Sequence, residues 1–283
     1  MKEILKKVSH LISDKTYIKI KYFMKFKKRI NLKKPETFNE KLQWLKLNDR
    51  KEIYSRMVDK YEAKKIIKET VGEKYVIKTL GIYNNFDEIN FDELPNKFVI
   101  KCTHDSGGVF ICNNKENFDI EYVKKQITLK MKNNFYYSFR EWPYKNVKSR
   151  IIIEEFIGNN LTDYRFYCFN GKVELIYMYI NENQDIDKPE PTKCNIYDIN
   201  WNLQNFHQNS LPTKEKYDCP KKLKEMIDIA EKLSNKTKFL RVDMYIKNDN
   251  ILVGELTFFP GAGFSKFHPE YIDLELGKKL NLA

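Results

Sequence analysis

F-L-R-V-D-M-Y-I-K-N-D-N-I-L-V-G-E-L-T-F-F-P-G-A-G-F, running from Phe239 to Phe264, is the stretch on which the fold reading of this chain turns. Its apolar alternation on either side of Asn248-Asp249-Asn250 predicts two antiparallel strands joined by a short loop. With those three residues as the loop, Lys247 pairs with Ile251, Tyr245 with Val253, Asp243 with Glu255 and Arg241 with Thr257, all on one face. Two carboxylates directly across a ladder repel, so the pairing calls for a positive group between them. Mg²⁺ fits: it accepts one or two carboxylates and completes its octahedron with water and phosphate oxygens, which makes a nucleotide its natural companion. A two-residue loop or a bulge would shift the register and could turn one acid to the other face, leaving a solvated pair with no metal. Beyond Thr257, Pro260-Gly261-Ala262-Gly263 reads as a turn; its amides could face an anion, or it could be a turn and nothing more.

Upstream, K-F-V-I-K-C (97–102), V-F-I-C (109–112), R-I-I-I-E-E-F-I (150–157), Y-R-F-Y-C-F (164–169) and K-V-E-L-I-Y-M-Y-I (172–180) read as strands, with Asn170-Gly171 as a hairpin turn. Residues 36–93 read as helical, 118–133 as a helix between strands, and Pro220 opens another helix with an apolar stripe through Leu223, Met226, Ile227, Ala230 and Leu233. The fold class is α+β with antiparallel sheets. Between the first two strands, Lys101 precedes C-T-H-D-S-G-G (102–108), a loop whose glycines let amides approach phosphate oxygens, or a hairpin connection that happens to contain them. The run ending in Glu154-Glu155-Phe156-Ile157 could stack an adenine or simply be core. Lys60, after Val58-Asp59, is one lysine among 44.

With 283 residues, 42% hydrophobic and 14% aromatic, the composition is that of one large or two smaller globular domains. No run of apolar residues reaches membrane-spanning length, and Met1 to Lys7 lacks the pattern of a signal peptide, so a cytoplasmic protein is expected. Five dispersed cysteines without a C-x-x-C pair predict reduced thiols, and four scattered histidines argue against zinc. Of the net charge of +12, residues 1–34 carry +10, so the body is nearly neutral and offers no phosphate-tracking stripe for nucleic acid. That basic segment interleaves Ile4, Leu5, Val8, Leu11 and Ile12 with lysines. It reads either as an amphipathic helix resting on anionic lipid at the inner face of the membrane or as a helix packed on the domain with a solvated lysine face.

Taken in order, D-K at 59–60, V-I-K with its glycine loop, I-I-E-E-F-I, R-V-D and E-x-T-x-x-P-G resemble the ATP-grasp superfamily. P-E-T-F-N-E-K-L-Q-W-L-K-L-N-D-R (35–50), K-F-V-I-K-C-T-H-D-S-G-G, R-E-W-P-Y-K-N (140–146) and G-E-L-T-F-F-P-G-A-G-F are more closely similar to the TupA-like ATP-grasp family of teichuronopeptide and surface-polysaccharide biosynthesis. The resemblance implies a nucleotide held between two α+β lobes. It divides the chain into a basic helical segment (1–57), a helical part of the nucleotide-binding unit (58–96), a small lid with the glycine loop (97–149) and an ATP- and Mg²⁺-binding core (150–283).

The same resemblance assigns roles. Lys60 and Lys101 would neutralise ATP phosphates, under amides of Ser106, Gly107 and Gly108, with Lys193 as a further phosphate ligand. Glu154, Glu155, Phe156 and Ile157 would form the adenine hinge, and Asp163 would receive the ribose hydroxyls. Asp243 and Glu255 would hold Mg²⁺. Thr257 stands where the superfamily usually has a metal-binding Asn and offers one oxygen without an amide carbonyl. Arg241 and the Gly261 amide would stabilise the oxyanion formed when an amine attacks an acyl phosphate. The implied activity is ADP-forming carboxylate–amine ligation, joining an amino acid to a uronic acid of a surface glycan. A glycosyltransferase, a glycan kinase and a non-catalytic nucleotide-binding module remain the alternatives.

Overall fold

The computed structural model describes residues 9–159, 161–180, 193–208, 210–213 and 215–283. Ile4, Leu5 and Val8 of the basic segment therefore lie outside the described residues. Helix α1 (Asp14–Phe26) begins at Ser13, whose hydroxyl accepts from the Thr16 amide, and buries Tyr17, Ile18 and Tyr22. Helix α2 (Phe38–Asn48) starts at a complete capping box between Thr37 and Glu40, as T-F-N-E specifies. Helices α3 (Glu52–Val58) and α4 (Glu62–Thr70) follow.

Helix does not continue through residue 93. Thr79–Tyr83 forms strand β1, because its backbone pairs with a strand seventy residues away, and that pairing outweighs local preference. Strands β2 (Phe98–Cys102), β3 (Val109–Cys112) and β4 (Ile151–Glu155) complete an antiparallel sheet in the order β1-β4-β2-β3. One face of it, with Phe98, Ile100, Cys102, Ile151 and Ile153, packs against Val123 and Ile127 of helix α5 (Ile120–Met131). The expected lid boundaries of 97 and 149 are thus too narrow for this sheet, which takes 79–83 from before them and 151–155 from after them.

Past helix α6 (Tyr136–Phe139), the second sheet is built from β5 (Asp163–Phe169), β6 (Lys172–Ile180), β7 (Lys193–Tyr197), β9 (Phe239–Lys247) and β10 (Asn250–Thr257). Its order is β10-β9-β5-β6-β7. Helix α7 (Leu223–Ser234) lays Met226, Ile229, Ala230 and Leu233 over the apolar face carrying Phe166, Ile176, Leu240 and Val242. The two-residue strands β8 (His207–Gln208) and β11 (Phe267–His268) pair with each other, and helix α8 (Ile272–Lys279) packs on α2. The five cysteines are unpaired, four of them buried. No helix among the described residues is long and apolar enough to cross a membrane.

Candidate active site

The β9–β10 hairpin brings Asp243 opposite Glu255 and Arg241 opposite Thr257, as expected, but by a different route. The loop has two residues, not three: Asn248 and Asp249 adopt φ of 49° and 60°, the geometry of a type I′ turn, so Asn250 pairs with Lys247. The expected pairs Lys247–Ile251 and Tyr245–Val253 are therefore replaced by Ile246–Ile251 and Tyr245–Leu252. A bulge at Gly254 then shifts the register by one, and the two differences cancel before Asp243 is reached. Gly254 lies against Tyr245: a Cβ there would come within 2.5 Å of Tyr245 Cε2.

Neighbouring strand β5 sets Arg165 beside Asp243 and Tyr167 beside Arg241. Alternation gathers Asp163, Arg165, Arg241, Asp243, Glu255 and Thr257 on the face opposite α7. The positive group between the facing acids is the Arg241 guanidinium, which donates to both Asp243 oxygens at 2.7 and 2.5 Å and to Glu255 Oε2 at 3.1 Å. Asp163 accepts two bonds from Arg165 through Oδ2, at 2.8 Å from Nε and 2.7 Å from Nη2, and keeps a buried Oδ1 without a partner. Burial pushes the Asp243 carboxyl up to about 7, with Arg241 opposing. Burial also raises Glu255, but Arg241, Lys60, Lys101 and Arg165 outweigh it and hold that carboxyl below its ordinary range.

This donor set fits Mg²⁺. Asp243 and Glu255 are hard oxygen ligands, and the buried Thr257 Oγ1 has no hydrogen-bond partner. Among the described residues no third acid, His or Cys joins them in a cluster of metal-binding size, so the remaining ligands would be waters and phosphate oxygens.

The four-stranded sheet presents an opposite charge. Lys101 on β2 and Lys64 on α4 reach the buried Glu154 carboxylate at 2.6 and 2.8 Å. Burial favours the neutral acid, but the two lysines outweigh it and lower the Glu154 pKa. Lys60 is fixed by its backbone, whose amide donates to Thr103 O at 3.0 Å, and its ammonium bonds the Asp105 carbonyl at the start of the glycine loop. Burial lowers the Lys60 pKa, with Glu255 and Asp105 opposing. Asp59 caps the start of α4 through the Tyr61 amide and pairs with Arg150 at 2.6 Å, which is why D-K places its lysine here. In the loop, Ser106 and Gly107 are exposed, while Gly107 and Gly108 adopt φ of 88° and 68°. A small pocket unites the two sheets: Lys60, Lys64 and Glu154 line it from one side, and Val253, Gly254 and Glu255 from the other.

The Pro260–Gly263 turn is held by a polar stripe on α2 that the sequence reading did not single out. Asn39 Nδ2 donates to Ser265 O, Gln43 Nε2 to the carbonyls of Ala262 and Gly263, and Lys46 Nζ to Ala262 O at 2.7 Å and Phe139 O at 2.9 Å. Gly261 has φ of 56°, and a side chain there would overlap Ser265 Oγ. Residues 39, 43 and 46 recur at helical spacing among Phe38, Leu42 and Leu45, so a polar stripe on a buried face was the available signal.

Glu155 is exposed and 3.3 Å from Lys247 Nζ, and its amide bonds Lys78 O at 2.9 Å, so 154–157 lie where the two sheets meet. Glu154, by contrast, turns its side chain into the lysine pair. Lys193 is not gathered with the rest: it sits exposed at the end of edge strand β7 opposite Ile180, on the other face from Asp163 and Arg165. Lys64 and Arg165 were missed, though Lys64 follows Lys60 by one helical turn and Arg165 follows Asp163 by one strand repeat.

The acidic hairpin and the lysines of the other sheet meet at one small pocket, and a profile of the TupA-like ATPgrasp family matches residues 40–281. The chain belongs to the TupA-like ATP-grasp family. Solved structures similar to it include D-alanine–D-alanine ligase from Bacillus anthracis complexed with ATP, at 20% identity and a TM-score of 0.42, covering 72% of this chain and 55% of that one. The Helicobacter pylori D-alanine–D-alanine ligase is 18% identical with a TM-score of 0.46, covering 86% of this chain and 69% of that one. The ATP-grasp ligase PsnB, complexed with a phosphomimetic precursor variant, Mg and ADP, is 11% identical with a TM-score of 0.47, covering 84% and 63%. The chain spans little more than half the length of the Bacillus anthracis ligase. No curated protein matches the sequence.

Proposed function

We propose that the protein is an ATP-dependent, ADP-forming carboxylate–amine ligase. The observation that carries this reading is that Glu255, on the acidic hairpin, and Lys60, on the element tied to the glycine loop, line one pocket. The two acids lie on one side of their sheet and the lysines approach from the other lobe. That is the charge arrangement a magnesium-bound triphosphate requires.

A carboxylate is a poor electrophile, so the γ-phosphoryl group passes to it, giving an acyl phosphate and ADP. Lys60 and Lys101 neutralise phosphate charge, with the amides of Ser106, Gly107 and Gly108 closing over it. Asp243, Glu255 and Thr257 would hold Mg²⁺, which when bound would neutralise charge on the phosphate oxygens. Arg241, fixed by Asp243, and the Gly261 amide face the negative charge that develops as an amine attacks. Residues 154–157 form the adenine hinge. Asp163, already engaged by Arg165, has one free buried oxygen for a ribose hydroxyl.

The finer reading takes the carboxylate from a uronic acid of a surface polysaccharide and the amine from an amino acid, as the family resemblance implies. The test is a screen of amino acids against uronic acids for Mg²⁺-dependent ADP release, with product mass. An amide supports the ligase. A phosphorylated sugar would make it a kinase, consumption of a sugar nucleotide without ATP a glycosyltransferase, and ATP binding without turnover a non-catalytic module.

Contact with an anionic membrane surface through residues 1–34 belongs to the same proposal. On the described part, Lys15, Lys19 and Phe23 are exposed along one side of α1, with exposed Leu11 before the helix and Lys27, Lys28 and Arg29 after it. Deletion of residues 1–30 should abolish co-sedimentation with anionic liposomes; unchanged binding overturns the membrane contact.

A further inference from the structure

The R-E-W-P-Y segment (140–144) follows Phe139, whose carbonyl shares the Lys46 ammonium with Ala262 of the glycine turn, and has no part in the chemistry above. Arg140, at φ of 59°, ends α6 and buries its guanidinium over the Tyr17 and Tyr136 rings, bound to carbonyls of Ser9 and Ile12 and, at 3.0 Å, to Asp14. Glu141 comes next. Only 5% of its surface is exposed, and among the described residues no donor lies within hydrogen-bond distance of its carboxylate. The charges that act on it are Lys46, Glu255 and Arg241.

Lys46 bonds Phe139 O and Ala262 O, which ties the segment leading to Glu141 directly to the glycine turn of the cleft, yet Lys46 forms no ion pair with Glu141. Tyr144 is buried as well, and the charges of Glu141, Glu255 and Arg241 act on it. Trp142–Tyr144 packs on α3, which in turn packs on β10. A buried carboxylate without a donor is costly, and a ligand that brings donors and positive charge relieves that cost.

Of the three reactants, ATP and the carboxylate are anionic and are matched by lysines and arginines. The amine enters as an ammonium. We propose that Glu141 receives the amine substrate, pairing with its ammonium and taking one proton from it. This rests on the ligase reading. The N–H electron pair stays on nitrogen as the proton moves to the Glu141 carboxylate. The neutral amine then forms the C–N bond at the acyl-phosphate carbon. The C–O bond to phosphate breaks, its electrons leave with phosphate, and the second nitrogen proton goes to that phosphate. Burial, opposed by Lys46, raises the Glu141 carboxyl to about 7, which suits a proton acceptor at neutral pH.

The test compares two nucleophiles in the full chain, with ATP and glucuronate or galacturonate as the carboxylate. Common amino acids need ammonium recognition and deprotonation; hydroxylamine, uncharged at neutral pH, needs neither and reports acyl phosphate as hydroxamate. In Glu141→Gln the ratio of amide to hydroxamate should fall on the order of 100-fold, with partial recovery in Glu141→Asp. An unchanged ratio, or equal loss with both nucleophiles, overturns the assignment. Absence of hydroxamate from the wild type overturns the ligase reading itself, and this assignment with it.

Discussion

The two sheets assemble charge by opposite means. In the five-stranded sheet Asp163, Arg165, Arg241, Asp243 and Glu255 come from three adjacent strands, so hydrogen-bond register alone sets their spacing, and planar guanidinium forks lock the acids in place. In the four-stranded sheet Lys101 comes from a strand, Lys64 from a helix and Lys60 from the turn before it, and they meet only because separate elements pack together. Lysine ammonium groups are flexible point charges, and here two of them converge on Glu154. One face is a rigid acidic floor, the other an adjustable basic lid.

The largest expected effect is on the floor. Asp243→Asn or Glu255→Gln should lower Mg²⁺-dependent ADP release on the order of 10³-fold with unchanged far-UV circular dichroism, since in either variant the Arg241 guanidinium keeps the other carboxylate as a partner. Full activity in both variants would remove the metal assignment.

On the lid, Glu154→Gln leaves two buried lysines without their acid and should destabilise the protein by roughly 3 kcal/mol near neutral pH. Because the lysines depress the Glu154 pKa in the folded state, its contribution is present above the unfolded carboxyl range and is lost as pH falls through the folded value. Urea unfolding of both proteins should therefore show a gap that closes on acidification; a gap independent of pH would contradict the ion-pair account.

Gly254→Ala tests whether register sets the floor. The added methyl meets Tyr245, so a cost of about 1–3 kcal/mol is expected, with loss of ADP release if the bulge is removed and Glu255 turns away. Activity at the wild-type level would mean that the acids tolerate another register. Thr257→Val should change least. It removes an unpartnered buried hydroxyl, so thermal stability should hold or rise, while the Mg²⁺ concentration for half-maximal ADP release rises by roughly tenfold or less. An unchanged Mg²⁺ requirement would exclude Thr257 from the metal site.

The strands around Asp243 and Glu255, the helix stripe of Leu223–Leu233 and the glycine loop were legible because each rests on local periodicity or turn chemistry. The Asp243–Glu255 pairing was legible only in its outcome. A three-residue loop and a regular ladder end at the same pair as a two-residue turn and a bulge, and Gly254 was the one residue marking the difference. The extent of the lid sheet was not legible, because β1 and β4 are partners across seventy residues of chain.

The amino-acid pattern by itself determined that this chain forms antiparallel sheets with helices, carries an acidic hairpin, and concentrates its charge in a basic N-terminal segment. These follow from periodicity, turn residues and charge counts, which act over a few positions. Only the tertiary structure decided that Arg241 lies between the acids, that Lys64 and Lys101 share Glu154, and that Glu141 is buried without a donor among the described residues. Such contacts join residues far apart in the chain, and their energies depend on burial and distance, which exist only once the elements have packed.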